Sequence, residues 1–127
     1  MNTKLNSITE KIIGAAIDVH RELGPGLLES TYEVCFVHEL RSRHIFTESQ
    51  KELPVTYKGM ELDCGFRIDL LVENQVIVEL KAVETILPIH KAQLMNYLKL
   101  ANLRLGLLMN FNVKLLKDGI TRIIFDK

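Results

Sequence analysis

The stretch Val76-Ile77-Val78-Glu79-Leu80-Lys81 constrains the fold more than any other in the chain, because a run suited to burial carries a carboxylate and an ammonium two positions apart. In a strand, successive side chains point to opposite faces. Val76, Val78 and Leu80 therefore share one face, and Ile77, Glu79 and Lys81 the other. One face is core and the other ends in charge. Desolvating those charges is unfavourable unless they are partnered or used.

The partner is sought in the preceding segment, Gly65-Phe66-Arg67-Ile68-Asp69-Leu70-Leu71-Val72, where Asp69 is flanked by apolar residues as Glu79 is. If the two runs form a hairpin, its register decides whether the acids meet. A two-residue turn at Glu73-Asn74 places Asp69 opposite Val78 and separates the carboxylates. A three-residue turn over Glu73, Asn74 and Gln75 pairs Val72 with Val76 and sets Asp69 across from Glu79. Directly opposed side chains lie about 5 Å apart, and like charges there destabilise a sheet unless a cation intervenes. Two carboxylates so placed suit magnesium or manganese, with Lys81 on the same face to activate water or offset charge on a phosphate. That is the chemistry of phosphodiester hydrolysis. The alternative is an ordinary strand end, with Glu79 and Lys81 paired to each other or to solvent.

Helical spacing frames these strands. Ser7 to Glu10 matches a capping box, and Ile8, Ile12, Ala16, Val19 and Leu23 continue at helical intervals, which predicts a helix over 8–23. Gly24-Pro25-Gly26 stops it. A second helix is expected from Leu27, with Leu28, Tyr32, Cys35, Phe36 and Leu40 as its buried stripe and Arg41-Ser42-Arg43-His44 as its solvated basic end. Pro54 to Tyr57 and Met60 to Asp63 read as a hairpin about Lys58-Gly59, followed by strands over 66–72 and 76–82. A third helix follows Pro88 to about Ala101, and strands over 105–111 and 121–125 complete an ααβββαββ order. One α/β or α+β domain over residues 1–127 is the expectation.

Two helical faces carry further polar groups. Glu29 and Tyr32 stand three apart on the second helix, and His90, Gln93 and Tyr97 share a face of the third. Such faces can cover the charged face of a strand. Composition narrows the rest. Sixteen basic residues balance sixteen acidic ones, so a polyanion site has to be local. Cys35 and Cys64 lack zinc-ligand spacing, so both are read as reduced, partly buried thiols. The apolar runs are too short to cross a membrane, and Met1 to Thr9 lacks the pattern of a secretory signal, which predicts a cytoplasmic protein without a membrane partner.

The stretches HRELGPGLLESTYE, GFRIDLLVENQVIVELKAVE and HKAQLMNYLKLANLRLGLLMNF together resemble the GxxExxY family of small bacterial proteins, a minimal branch of the PD-(D/E)XK nuclease superfamily. Asp69, Glu79 and Lys81 match its D…(D/E)xK motif, Glu29 its acidic helix position, and Gln93 with Tyr97 the QxxxY pattern of the RecB-like branch. The resemblance implies a restriction-endonuclease-like core, a mixed β-sheet flanked by helices around a divalent cation. It also implies a site in which Asp69, Glu79 and the Leu80 carbonyl hold magnesium or manganese and Lys81 assists the attacking water. Glu29 would then act from the helix side, and Gln93 would orient Lys81 or the phosphate. His20, Arg21, His90 and Tyr97 are candidate substrate contacts.

Two functions follow from different classes. One is a magnesium-dependent deoxyribonuclease acting on nucleic acid, DNA in the first instance, alone, as a homodimer or within a larger repair or defence complex. The other is a binding or assembly module that keeps the nuclease fold and holds nucleic acid or protein without cutting.

Overall fold

The computed structural model describes residues 3–126, apart from the side chain of Cys64. The Cys64 thiol and the first two residues of the N-terminal stretch therefore lie outside the described residues. The elements are α1 (Thr3–Leu23), α2 (Glu29–Ser42), β1 (Thr47–Tyr57), β2 (Met60–Val72), β3 (Val76–Lys81), α3 (Pro88–Ala101), β4 (Leu105–Asn110), a 3-10 turn (Leu116–Gly119) and β5 (Ile120–Ile124). With the short turn set aside, this is the expected ααβββαββ order.

The five strands form one sheet in sequential order, and only β3 and β4 are parallel. Parallel neighbours cannot be joined by a tight turn, so the chain crosses over through α3. The helices divide between the two faces. Ile12, Ala16, Tyr32, Phe36 and Leu40 of α1 and α2 pack on Leu70, Val78, Leu80 and Leu107. On the other face, Leu94 and Leu98 of α3 pack on Leu71, Ile77 and Leu108. Each fully buried Leu, Ile, Val or Phe among them contributes about 1.5–3 kcal/mol relative to exposure. This is the mixed sheet flanked by helices of a restriction-endonuclease-like fold. No described helix is long and apolar enough to cross a membrane.

Several boundaries differ from the sequence reading. α1 begins at Thr3, so Ser7 lies inside the helix rather than capping it, because Leu5 already joins the buried stripe. α2 begins at Glu29, with Leu28 extended before it and 73% exposed, so Leu28 is not part of the core. Residues 60–63 and 66–72 are one strand, and β1 starts well before Pro54. Pro54 has no N–H to give a ladder, and it sits where the β1–β2 register shifts between Leu53 and Val55. Gly65 lies against that bulge: a Cβ there would meet the Val55 side chain at 2.3 Å. β3 and β4 end one residue earlier than expected, at Lys81 and Asn110.

The Gly24–Tyr32 segment is tied down locally. The buried Tyr32 hydroxyl donates to the Gly24 carbonyl at 2.5 Å and accepts the Leu27 N–H at 3.1 Å. Its ring stacks on Phe111, with centroids 4.7 Å apart. Gly26, at φ 97°, turns the chain into α2 in a conformation that L side chains rarely adopt. Tyr32 is therefore a structural strut that fixes where α2 starts, and with it the position of Glu29.

Candidate active site at a fork in the sheet

The turn between β2 and β3 spans three residues, 73–75, with Glu73 and Asn74 both left-handed at φ 54° and 56°. Val72 accordingly pairs with Val76 and Leu70 with Val78, the register that brings Asp69 level with Glu79. The regular ladder stops at Leu70, and the two acids occupy the place where it would continue. The Asp69 N–H donates to Glu79 Oε2 at 2.7 Å, and the Leu80 N–H donates to Asp69 Oδ2 at 2.8 Å. Each carboxyl group thus replaces a missing ladder carbonyl on the opposite strand and is fixed by a hydrogen bond from a backbone N–H.

The strands separate here because the alternation of faces breaks at Asp69. In a regular strand Ile68 and Leu70 would share a face. Instead Leu70 packs in the cluster under α1 and α2, while Ile68 packs with Leu94, Leu98 and Leu108 on the α3 side. Opposite the break on β1 stands Gln50, whose φ of 51° is left-handed. Ser49 pairs with Leu70 and Lys51 with Ile68, so Gln50 faces Asp69 across a local kink without a change of register.

Around the fork, three other elements bring polar groups together. Gln50 Nε2 donates to both Glu33 carboxylate oxygens, at 2.8 and 2.9 Å, and lies 3.4 Å from Asp69 Oδ1. Glu33 is one helical turn beyond Glu29 on α2. From the far side Tyr97 of α3 stacks on Phe66, with centroids 4.8 Å apart.

The titration behaviour follows from this crowding. Glu79 is only 5% exposed. Its carboxyl is pushed up to about 8, first by burial and then by the Asp69 charge, against the opposing pull of the Asp69 N–H and Lys81. Partial burial also raises Glu29, with Asp69 adding to the effect and Lys81 countering it. Glu33 is raised by burial and by Asp69, while the Gln50 amide pulls it down. Burial, Glu79 and Asp69 together raise the Tyr97 phenol. Glu79, Glu29, Glu33 and Tyr97 are thus all raised in part by the one Asp69 charge.

A family model of the PD-(D/E)XK nuclease superfamily matches residues 6–123. The chain belongs to this superfamily. No curated protein and no solved structure matches it significantly. Nucleases of the PD-(D/E)XK superfamily generally use divalent metals.

Among the described residues, no three His, Cys, Asp or Glu side chains form a ready-made metal cage. The donor set nevertheless fits a hard cation, since magnesium typically takes one or two carboxylates and completes its shell with water and substrate oxygens. Asp69 and Glu79 each bind a backbone N–H through one oxygen, and the second Asp69 oxygen lies 3.4 Å from the Gln50 amide. The charge conflict that raises Glu79 is of the kind a divalent cation relieves.

The other sequence candidates are placed as follows. Gln93 is exposed on α3, one turn before Tyr97. His90 Nδ1 accepts the Leu87 N–H at 2.9 Å, which uses that nitrogen to close the start of α3. His20 is 5% exposed, and its Nε2–H donates to the Val113 carbonyl at 2.8 Å. Arg21 is exposed, 3.7 Å from Asp18. Sequence reasoning missed Glu33 and Gln50. Glu33 was accessible from its i+4 spacing to Glu29, whereas nothing in the local pattern marks Gln50, which arrives through a left-handed kink.

Proposed function

We propose that this protein is a divalent-metal-dependent nuclease of the GxxExxY branch, a single domain that hydrolyses phosphodiester bonds in nucleic acid, with DNA as the first substrate to test. The observation that carries the reading is the pair Asp69 and Glu79 at the sheet fork, held level by reciprocal backbone hydrogen bonds beside Lys81. Asp69 and Glu79 would hold magnesium or manganese together with the Leu80 carbonyl. In a strand, a residue's N–H and C=O point to the same edge. The Leu80 N–H already points across the fork to Asp69, so its carbonyl is offered on that side, whereas the Lys81 carbonyl accepts from Phe111 on β4 at 2.8 Å. When bound, the cation would supply Lewis-acid polarisation of the scissile phosphate.

The chain's own groups divide the remaining work. Lys81, the last residue of β3, orients water and offsets charge on the phosphate. Glu29 faces the same centre from α2 and accepts a proton more readily than an ordinary surface carboxylate, because its pKa is raised. Gln93 and Tyr97 present neutral donors from α3 toward the substrate. Incubating labelled DNA with magnesium or manganese tests the reading. Wild type should cut, while Asp69→Asn and Lys81→Ala should lose about 10²-fold activity or more and remain folded. Cleavage retained by both variants would overturn the assignment, and metal-independent binding without cleavage would favour the binding module.

A further inference from the structure

A cavity of about 310 Å³ lies between the C-terminal end of α1 and the loop after β4, lined by Ile17, His20, Arg21, Lys114, Leu116 and Lys117 among others. Its rim carries three permanent cations and its lining contains no carboxylate, in a chain whose net charge is zero. Lys114 and Lys117 have no ion-pair partner among the described residues. Arg21 approaches Asp18 at 3.7 Å, but that carboxylate is also bound by Arg43.

The loop that carries the lysines is held in place. The buried His20 grips the Val113 carbonyl, Leu116 is 3% exposed in the main core, and Gly119 is so tight against β4 that a Cβ would lie 2.3 Å from the Asn110 carbonyl. The loop also starts beside the acids. Lys81 pairs with Asn110, and the next residue, Phe111, donates its N–H to the Lys81 carbonyl and packs against the His20 ring at 6.1 Å. A fixed concavity with two lysines free of ion pairs among the described residues therefore lies on the loop that leaves β4 beside the Lys81 end of β3. In open α/β sheets, ligands gather at the C-terminal ends of parallel strands.

We infer that this cavity is a phosphate-binding subsite in which Lys114, Lys117 and Arg21 hold the backbone of the nucleic acid away from the scissile bond, while His20 positions the loop and does not touch the substrate. The inference rests on the nuclease reading and supplies what that reading lacks, a local seat for a polyanion on a neutral protein. It also gives Arg21 a place in binding and removes His20 from the set of direct contacts.

The test measures binding of labelled 20-nucleotide duplex and single-stranded DNA by fluorescence anisotropy, with magnesium present and in a Lys81→Ala background, across a range of salt. Wild-type cleavage is assayed in parallel. Losing two phosphate contacts in Lys114→Gln/Lys117→Gln should flatten the slope of log K against log salt by about 1.8 for duplex or about 1.4 for single strand. For duplex at 0.1 M salt this corresponds to a loss of roughly 60-fold relative to 1 M. The exposed control pair Lys11→Gln/Lys58→Gln, outside the cavity, should change the slope little. An unchanged slope in the cavity variant, or equal flattening in both pairs, overturns the subsite and leaves the nuclease reading standing. Absence of both binding and wild-type cleavage removes the nuclease reading and the subsite together.

Discussion

Replacing Glu79 by Gln should make the metal-free protein more stable, and increasingly so as pH rises. The amide has the shape of the acid and can still accept the Asp69 N–H through its oxygen, but it carries no charge beside Asp69. In wild type the Glu79 carboxyl stands at about 8 in the folded state against an ordinary value of 4.5. Between those values the unfolded chain has released the proton and the folded chain still holds it, so each rise in pH favours unfolding. The loss is about 1.4 kcal/mol per pH unit, which reaches about 5 kcal/mol once pH passes 8. Below 4.5 and above 8 this group adds no slope. The raised values of Glu29 and Glu33 contribute in the same direction, but they remain in both proteins and largely cancel in the comparison.

Urea denaturation followed by circular dichroism at pH 5, 6.5 and 8, in chelator, gives the two stability curves. They should lie close together at pH 5 and diverge toward pH 8, with Glu79→Gln the more stable protein. Manganese at a hundredfold excess over its Kd should then restore about 2.7 kcal/mol to wild type and little to the variant. Parallel pH curves would refute the claim that burial and Asp69 strain the Glu79 carboxylate. Equal stabilisation of both proteins by manganese would refute Glu79 as a ligand.

Three other perturbations probe the surroundings. Gln50→Ala removes the amide that joins Glu33 to Asp69, and isothermal titration should show manganese affinity falling by about 10- to 100-fold, the range typical for loss of a group supporting a metal ligand. Tyr32→Phe leaves the Gly24 carbonyl and the Leu27 N–H without their shared partner, and urea titration should register a loss of about 1–3 kcal/mol. Gly119→Ala forces a methyl group against the Asn110 carbonyl, and calorimetry should show a lower Tm from an overpacking penalty of about 1–3 kcal/mol.

The sequence was most legible where one physical rule decides. Helical stripes such as Ile8, Ile12, Ala16 and Val19 and the apolar runs of β3 and β4 announce themselves by spacing, and all are buried. The hairpin turn at Lys58-Gly59 was equally plain, with both residues at positive φ as a tight two-residue turn requires. Boundaries were harder, because they depend on tertiary partners. Leu5 extends α1 backward by joining the core, and β1 is longer than its own composition implies because β2 pairs along its length. The β2–β3 register fell between, since the sequence reduced it to two alternatives and the left-handed Glu73 and Asn74 decide for the longer turn.

The site itself lies where periodic rules fail, and that failure has a physical cause. A sheet that continued regularly through Asp69 would satisfy its N–H groups with backbone carbonyls and would have no room for two carboxylates between the strands. Kinking β1 at Gln50 and switching the face of β2 at Asp69 opens the ladder and exposes two strand N–H groups, those of Asp69 and Leu80. A buried donor left unpaired costs about 1–3 kcal/mol, so the fork has to be filled. Glu79 and Asp69 fill it reciprocally. The hydrogen bond from the Asp69 N–H eases their mutual repulsion only in part, and Glu79 keeps its proton up to about 8. The reciprocal bonds fix one oxygen of each acid, and the Gln50 amide approaches the second oxygen of Asp69, so the device that repairs the sheet also orients the two carboxyl groups. On this account Asp69→Ala should do more than remove a ligand: it should orphan the Leu80 N–H and loosen the fork. Asp69→Asn, which keeps an acceptor for that N–H, should lose activity with far less effect on stability.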